Sequence, residues 1–162
     1  MRELILLRHA EAQPAQPGGD DLGRRLSGRG EQEARAAGRW LEQWLKNHGQ
    51  QRPSRVLCSP SERTRATAKL ALAEVQGAPE PELCEGIYEA TQGELLALLD
   101  DHSDADSVLL IGHNPGIERL VALLAEGRSD EYRGMPPAGI AVFHSDEGFE
   151  PGHARLEAFW SP

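Results

Sequence analysis

Leu4–Leu7, Arg55–Cys58 and Ser107–Ile111 are short, largely aliphatic runs, and each is followed downstream by a segment with helical periodicity. Unbroken aliphatic runs of this length read as strands buried on both faces, the environment of a parallel sheet. Parallel neighbours need a crossover connection, and a helix is the usual way to make one. Repetition of strand then helix therefore confines the chain to the α/β class, with ligands gathering beyond the carboxyl ends of the strands.

The helical segments have readable ends. Ser27 is placed to cap a long helix with Ala34, Ala37, Leu41, Trp44 and Leu45 on one face, stopping around Asn47-His48-Gly49. Ser59-Pro60-Ser61-Glu62 reads as a capping box, with Ser59 as cap, Pro60 at the first helical position and Glu62 reaching back. Ala66, Leu70 and Ala73 continue its apolar face. A further helix is expected over Gly93–Asp100, with Leu95, Leu96 and Leu99 inward. Asn114 is placed as the cap and Pro115 as the first residue of the last helix, where Ile117, Leu120, Val121 and Leu124 share a face. Ile140–Phe143 and Ala154–Trp160 are expected as two β segments joined by the turn at Asp146-Glu147-Gly148. The stretch from Ala12 to Ser27 is rich in Pro, Gly and Asp; a loop that long inside a compact domain is usually either functional or disordered.

Charge narrows the possible partners. Hydrophobic residues make up 39% of the 162, an ordinary globular proportion, so one domain over residues 1–162 with a real core is expected. The formal charge of -9 argues against nucleic acid and anionic membranes as partners, and any phosphate site must be a local positive focus. Met1-Arg2-Glu3 with four apolar residues after it is too short and acidic for a signal peptide, and no apolar run approaches the ~20 residues of a membrane span. Cys58 and Cys84 lack metal or redox spacing and are expected as buried reduced thiols. Cytoplasmic localisation is the expectation.

Three strand ends carry chemistry: Arg8-His9, Ser59 through Arg63, and His113. A neutral imidazole such as His9 can attack phosphorus without first losing a proton, and nearby arginines favour the neutral form. Arg8 and Arg63 offer forked donors to phosphate oxygens, and Arg63 lies in the first turn of a helix, where free N–H groups already favour anions. His113, ahead of another helix start, can donate to the same group. His48, His102, His144 and His153 lie in polar turns or late strands and are read as structural. No HxH or HExxH spacing suggests a metal site.

Leu6-Leu7-Arg8-His9-Ala10-Glu11 resembles the RHG/RHA signature of the histidine phosphatase (phosphoglycerate mutase-like) superfamily. Cys58-Ser59-Pro60 with Arg63-Thr64 and Ala66-Thr67 resembles its SPxxRxxQT motif, and Gly112-His113-Asn114-Pro115 its second histidine motif. Short length, Arg8-His9-Ala10 and the Asp21…Arg24-Arg25-Leu26-Ser27 stretch make the chain most similar to SixA-type phosphohistidine phosphatases. The resemblance implies a three-layer α/β/α sandwich around a mostly parallel sheet. It further implies transient phosphorylation of His9, a phosphoryl group held by Arg8, Arg63 and His113, and neither metal nor organic cofactor.

The proton donor stays open between Asp21, in the first loop, and Glu85, with Glu89 a neighbouring rival; a phosphoramidate leaving group needs little acid help. Little chain is left after Arg63 to form a lid, so an open site is expected. Openness suits a phosphohistidine on a partner protein, such as a histidine phosphotransfer domain. The alternative is a phosphomonoesterase acting on a small metabolite phosphate ester.

Overall fold

A computed structural model describes residues 1–49, 52–129 and 134–162. Strands β1 (Glu3–Arg8), β2 (Arg55–Cys58), β3 (Pro81–Leu83), β4 (Ser107–Gly112), β5 (Ile140–His144) and β6 (Arg155–Trp160) form one sheet in the order β3-β2-β4-β1-β5-β6. β3, β2, β4 and β1 run parallel, whereas β5 and β6 are antiparallel additions at one side. Helices α1 (Gly28–Asn47), α2 (Glu62–Leu72), α3 (Gln92–Asp100) and α4 (Gly116–Glu126) cover its faces.

The two-residue period of β1 sets the layering. Ile5 and Leu7 face the core made with Ala34, Ala37, Leu41 and Leu45 of α1 and Ala68 and Ala71 of α2. Leu4 and Leu6 face the opposite core, made with Leu95 and Leu99 of α3 and Ile117, Leu120 and Leu124 of α4. All four β1 side chains are fully buried, so the expected three-layer α/β/α sandwich is what these residues build. α1 and α2 touch backbone to backbone at Gly38, where a Cβ would lie 2.1 Å from the Ala71 carbonyl oxygen. On the outer flank Trp160 of β6 stacks on Trp40, and Trp40 on Trp44.

Several local expectations are corrected. Ser61, not Ser59, caps α2: its hydroxyl accepts from the Thr64 amide at 3.3 Å, leaving Pro60 outside the helix and Glu62 at its first position. Pro115 is the cap residue of α4 rather than its first residue, preceded by a cis Asn114–Pro115 bond; the Asn114 side chain accepts from the Glu118 amide at 3.3 Å. α3 starts one residue earlier than expected, at Gln92, because Thr91 and Glu94 form a reciprocal capping box. β3 was not expected, being three residues opened by a proline at a sheet edge. That edge position also leaves Cys84 half-buried, while Cys58 is buried as expected. Leu96 is half-buried beside the buried Leu95 and Leu99. The Ala12–Ser27 loop contains a single bridge, Ala12 to Leu26, and a 3-10 turn at Asp21–Gly23.

No helix among the described residues is long and apolar enough to cross a membrane.

Candidate active site

The carboxyl ends of β1, β2 and β4 are neighbours in the sheet, and they bring Arg8-His9, Ser59 and His113 together. Arg63 arrives from the first turn of α2, which starts just beyond β2.

His9 is only 9% exposed, and its Nδ1 lies 2.7 Å from the Ala10 carbonyl oxygen. A carbonyl can only accept, so Nδ1 carries the ring proton and Nε2 keeps its lone pair. Burial, with further help from Arg63 and Arg8, pushes the imidazole pKa down to about 4, so the ring is neutral near pH 7. The amide of Ala10 is held by Thr67, whose buried hydroxyl accepts from that N–H at 3.0 Å and donates to the Arg63 carbonyl at 2.8 Å. One hydroxyl thus ties the backbone next to His9 to the helix that carries Arg63.

His113 sits edge-on to His9, with ring centroids 5.4 Å apart. Its Nδ1 is 3.3 Å from Arg63 Nη2, and its Nε2 is 2.7 Å from the hydroxyl of the fully buried Ser59. Burial, then His9 and Arg63, lower its pKa to about 3.

Arg63 is anchored through Nη1 to the Asp21 carbonyl (2.7 Å) and through Nη2 to the Asp21 carboxylate (3.0 Å). Arg8 donates from Nη1 to the Met135 carbonyl at 2.7 Å. Among the described residues neither Arg8 Nε nor Arg63 Nε has an acceptor, although both atoms are buried. Two cationic donors without acceptors beside a neutral imidazole make a site for a small anion.

Of the two proton-donor candidates, only Asp21 reaches this centre. It accepts from Tyr88 Oη as well as from Arg63, and the Tyr88 hydrogen bond, followed by those from Arg63 and Arg24, holds its carboxyl well below the ordinary range. As held here it is an anion. Glu85 lies exposed at the start of a 3-10 turn, and among the described residues its carboxylate meets no residue of the site. Glu89 lines an adjoining cavity of about 380 Å³ together with Arg63, Tyr88, His113, Pro115 and Arg119. The site roles of Tyr88, Met135 and Ser59 escaped the sequence: a loop tyrosine and a backbone carbonyl carry no local signal, and Ser59 was read as a cap.

The other histidines serve locally: His48 and His102 contact the carbonyls of Trp44 and Leu98, and His144 and His153 contact Asp146 and Glu150. Among the described residues no three His, Cys, Asp or Glu side chains are grouped to hold a metal ion.

Comparison with known proteins agrees with this geometry. The chain is similar to SixA of Agrobacterium tumefaciens at 28% identity, with a TM-score of 0.83 and coverage of 99% of this chain and 98% of that one. It is similar at 26% identity to the protein histidine phosphatase SixA complexed with tungstate, with a TM-score of 0.79 over 99% and 97% of the two chains. Phosphoserine phosphatase of Entamoeba histolytica, complexed with 3-phosphoglyceric acid, shares the fold at 19% identity and a TM-score of 0.69, over 100% and 98%. The profile of the histidine phosphatase superfamily (branch 1) matches residues 4–101. With that match spanning β1 through α3, the chain belongs to the histidine phosphatase superfamily.

Proposed function

We propose that this chain removes phosphoryl groups through a covalent intermediate on His9, and that its substrate is a phosphohistidine on a partner protein. The observation that carries the reaction is the pairing of an uncommitted Nε2 on His9 with the two buried guanidinium Nε donors that lack acceptors. Nε2 attacks phosphorus, the bond from phosphorus to the leaving imidazole nitrogen breaks, and that nitrogen takes a proton from solvent. Water then attacks the phosphoryl group on His9, releasing inorganic phosphate and restoring the ring. Arg8, Arg63 and His113 hold the phosphoryl oxygens through both steps. No step needs a metal or organic cofactor, and activity is expected to survive chelation.

The phosphohistidine reading draws on the likeness to SixA proteins, at 28% and 26% identity over nearly the whole chain. A histidine phosphotransfer domain is the kind of partner that fits. The second reading is hydrolysis of a small phosphate ester, favoured by the adjoining cavity of about 380 Å³, a volume suited to a small-molecule leaving group.

Trapping tests the chemistry. A labelled phosphodonor should leave an acid-labile, base-stable label that disappears in His9→Ala; a label that persists in the variant refutes the assignment. Rates on a phosphohistidine protein compared with a panel of sugar phosphates decide the substrate. Faster turnover of any one sugar phosphate overturns the phosphoprotein reading.

A further inference from the structure

Ser59 has a contact that its sequence position does not suggest. The hydroxyl of this fully buried serine lies 2.7 Å from Nε2 of the half-buried His113, while the other ring nitrogen faces Arg63 Nη2 at 3.3 Å. A guanidinium can only donate, so Nδ1 of His113 is the acceptor in this arrangement and the ring proton is on Nε2. Nε2–H therefore donates to Ser59. A phosphoryl group held by Arg63 needs the reverse, because phosphoryl oxygens accept and Nδ1 is the nitrogen on the Arg63 side of the ring.

We propose that Ser59 is a positioning residue whose hydroxyl accepts from His113 Nε2 as seen here and donates to it when a phosphoryl group binds, so that His113 presents Nδ1–H to the phosphoryl oxygens. The proposal rests on the reading of this centre as a phosphoryl site. A hydroxyl is suited to the task because it can donate or accept by rotating about one bond. The switch balances: Nδ1 takes one proton from solvent, Nε2 gives one to solvent, and the ring stays neutral. Neutrality is what the surroundings favour, since burial, His9, Arg63 and Arg8 all oppose a second proton on His113. No other side-chain contact to Nε2 exists among the described residues, so the second tautomer depends on Ser59 for its acceptor nitrogen.

The test is nitrogen NMR of the His113 ring in the full chain, without and with saturating inorganic phosphate. The expected result is a proton on Nε2 without phosphate and on Nδ1 with it. An unchanged tautomer, or a ring protonated at both nitrogens with phosphate bound, overturns the proposal while leaving the phosphoryl site intact. Failure of phosphate to perturb either His9 or His113 overturns the phosphoryl-site reading, and the proposal with it. Ser59→Ala should weaken phosphate binding by about tenfold, the effect of losing one hydrogen bond to a polar group in a buried site. Ser59→Cys fills nearly the same space with a weak donor and should fall between the two; affinities equal to wild type in both variants refute the role. The wild-type tautomer measurement stands even if a variant folds poorly.

Discussion

His9 Nδ1 lies 2.7 Å from the Ala10 carbonyl oxygen, and that contact between adjacent residues decides which ring nitrogen carries the proton. With Nδ1–H committed and burial pushing the ring pKa to about 4, the Nε2 lone pair persists into acid. Single-turnover phosphorylation of His9 by phosphoramidate, corrected for ionisation of the donor, should have its acid limb near pH 4. A limb at the ordinary histidine value of 6.5 would show that the ring is solvated.

Asp21 binds the same Arg63 nitrogen that faces His113. Under the proposed function, an incoming phosphoryl group would compete with that carboxylate for Arg63. Asp21→Asn keeps the shape and removes the charge, so calorimetry should find inorganic phosphate bound roughly tenfold more tightly. Weaker binding would instead make Asp21 a support that holds Arg63 in place. A fall in turnover of an alkyl phosphate ester with tighter binding would show that Asp21 delivers the leaving-group proton once its contacts are exchanged.

Thr67 links the Ala10 amide to the Arg63 carbonyl, at a sequence separation of 57 from Ala10. Thr67→Val is nearly isosteric but leaves the Ala10 N–H buried and unpaired, which should cost about 1–3 kcal/mol in urea unfolding. Phosphorylation of His9 should slow as the His9–Ala10 peptide loosens, and Thr67→Ser should restore both properties. Equal stability of the Val variant would mean that the amide finds another acceptor.

Glu3 is 5% exposed at the far end of β1, and one carboxylate oxygen has no partner among the described residues. Burial raises its pKa from 4.5 to about 7, with Glu157 adding to the shift and His144 and His48 opposing it. A folded-state carboxyl raised in this way is destabilising once ionised. The unfolded chain loses its proton first, so stability falls as pH rises from 4.5 to about 7 and stays reduced above that range. Glu3→Gln should therefore be more stable than wild type at pH 8 by ~2–3 kcal/mol, following the linkage between pKa shift and free energy, and nearly equal at pH 4. Parallel denaturation curves at the two pH values check this; a constant difference would mean that Glu3 does not titrate in the window.

Local patterns carried the architecture well. The aliphatic runs ending at Arg8, Cys58 and near Gly112 are all strands in the parallel part of one sheet, and α1 begins after Ser27 as expected. β3 was invisible because three edge residues opened by a proline carry no period. The cap of α2 was misplaced because Ser59 and Ser61 are chemically equivalent as caps. Only the path of the chain selects between them, giving Ser61 the Thr64 amide and Ser59 the His113 ring.

The sequence by itself determined the strand–helix alternation and the placing of Arg8, His9, Arg63 and His113 at strand ends and a helix start, since these depend on residues a few positions apart. His9 is oriented by its neighbour Ala10, whereas how Arg8, Arg63 and His113 are held was decided by tertiary structure. Asp21 meets Arg63 across 42 residues, Tyr88 meets Asp21 across 67, Ser59 meets His113 across 54, and the Met135 carbonyl meets Arg8 across 127. Contacts at such separation arise from the packing of whole layers, and no local pattern encodes them. The tautomer of His9 is set by one neighbouring carbonyl, and that of His113 by contacts that only the packed layers create.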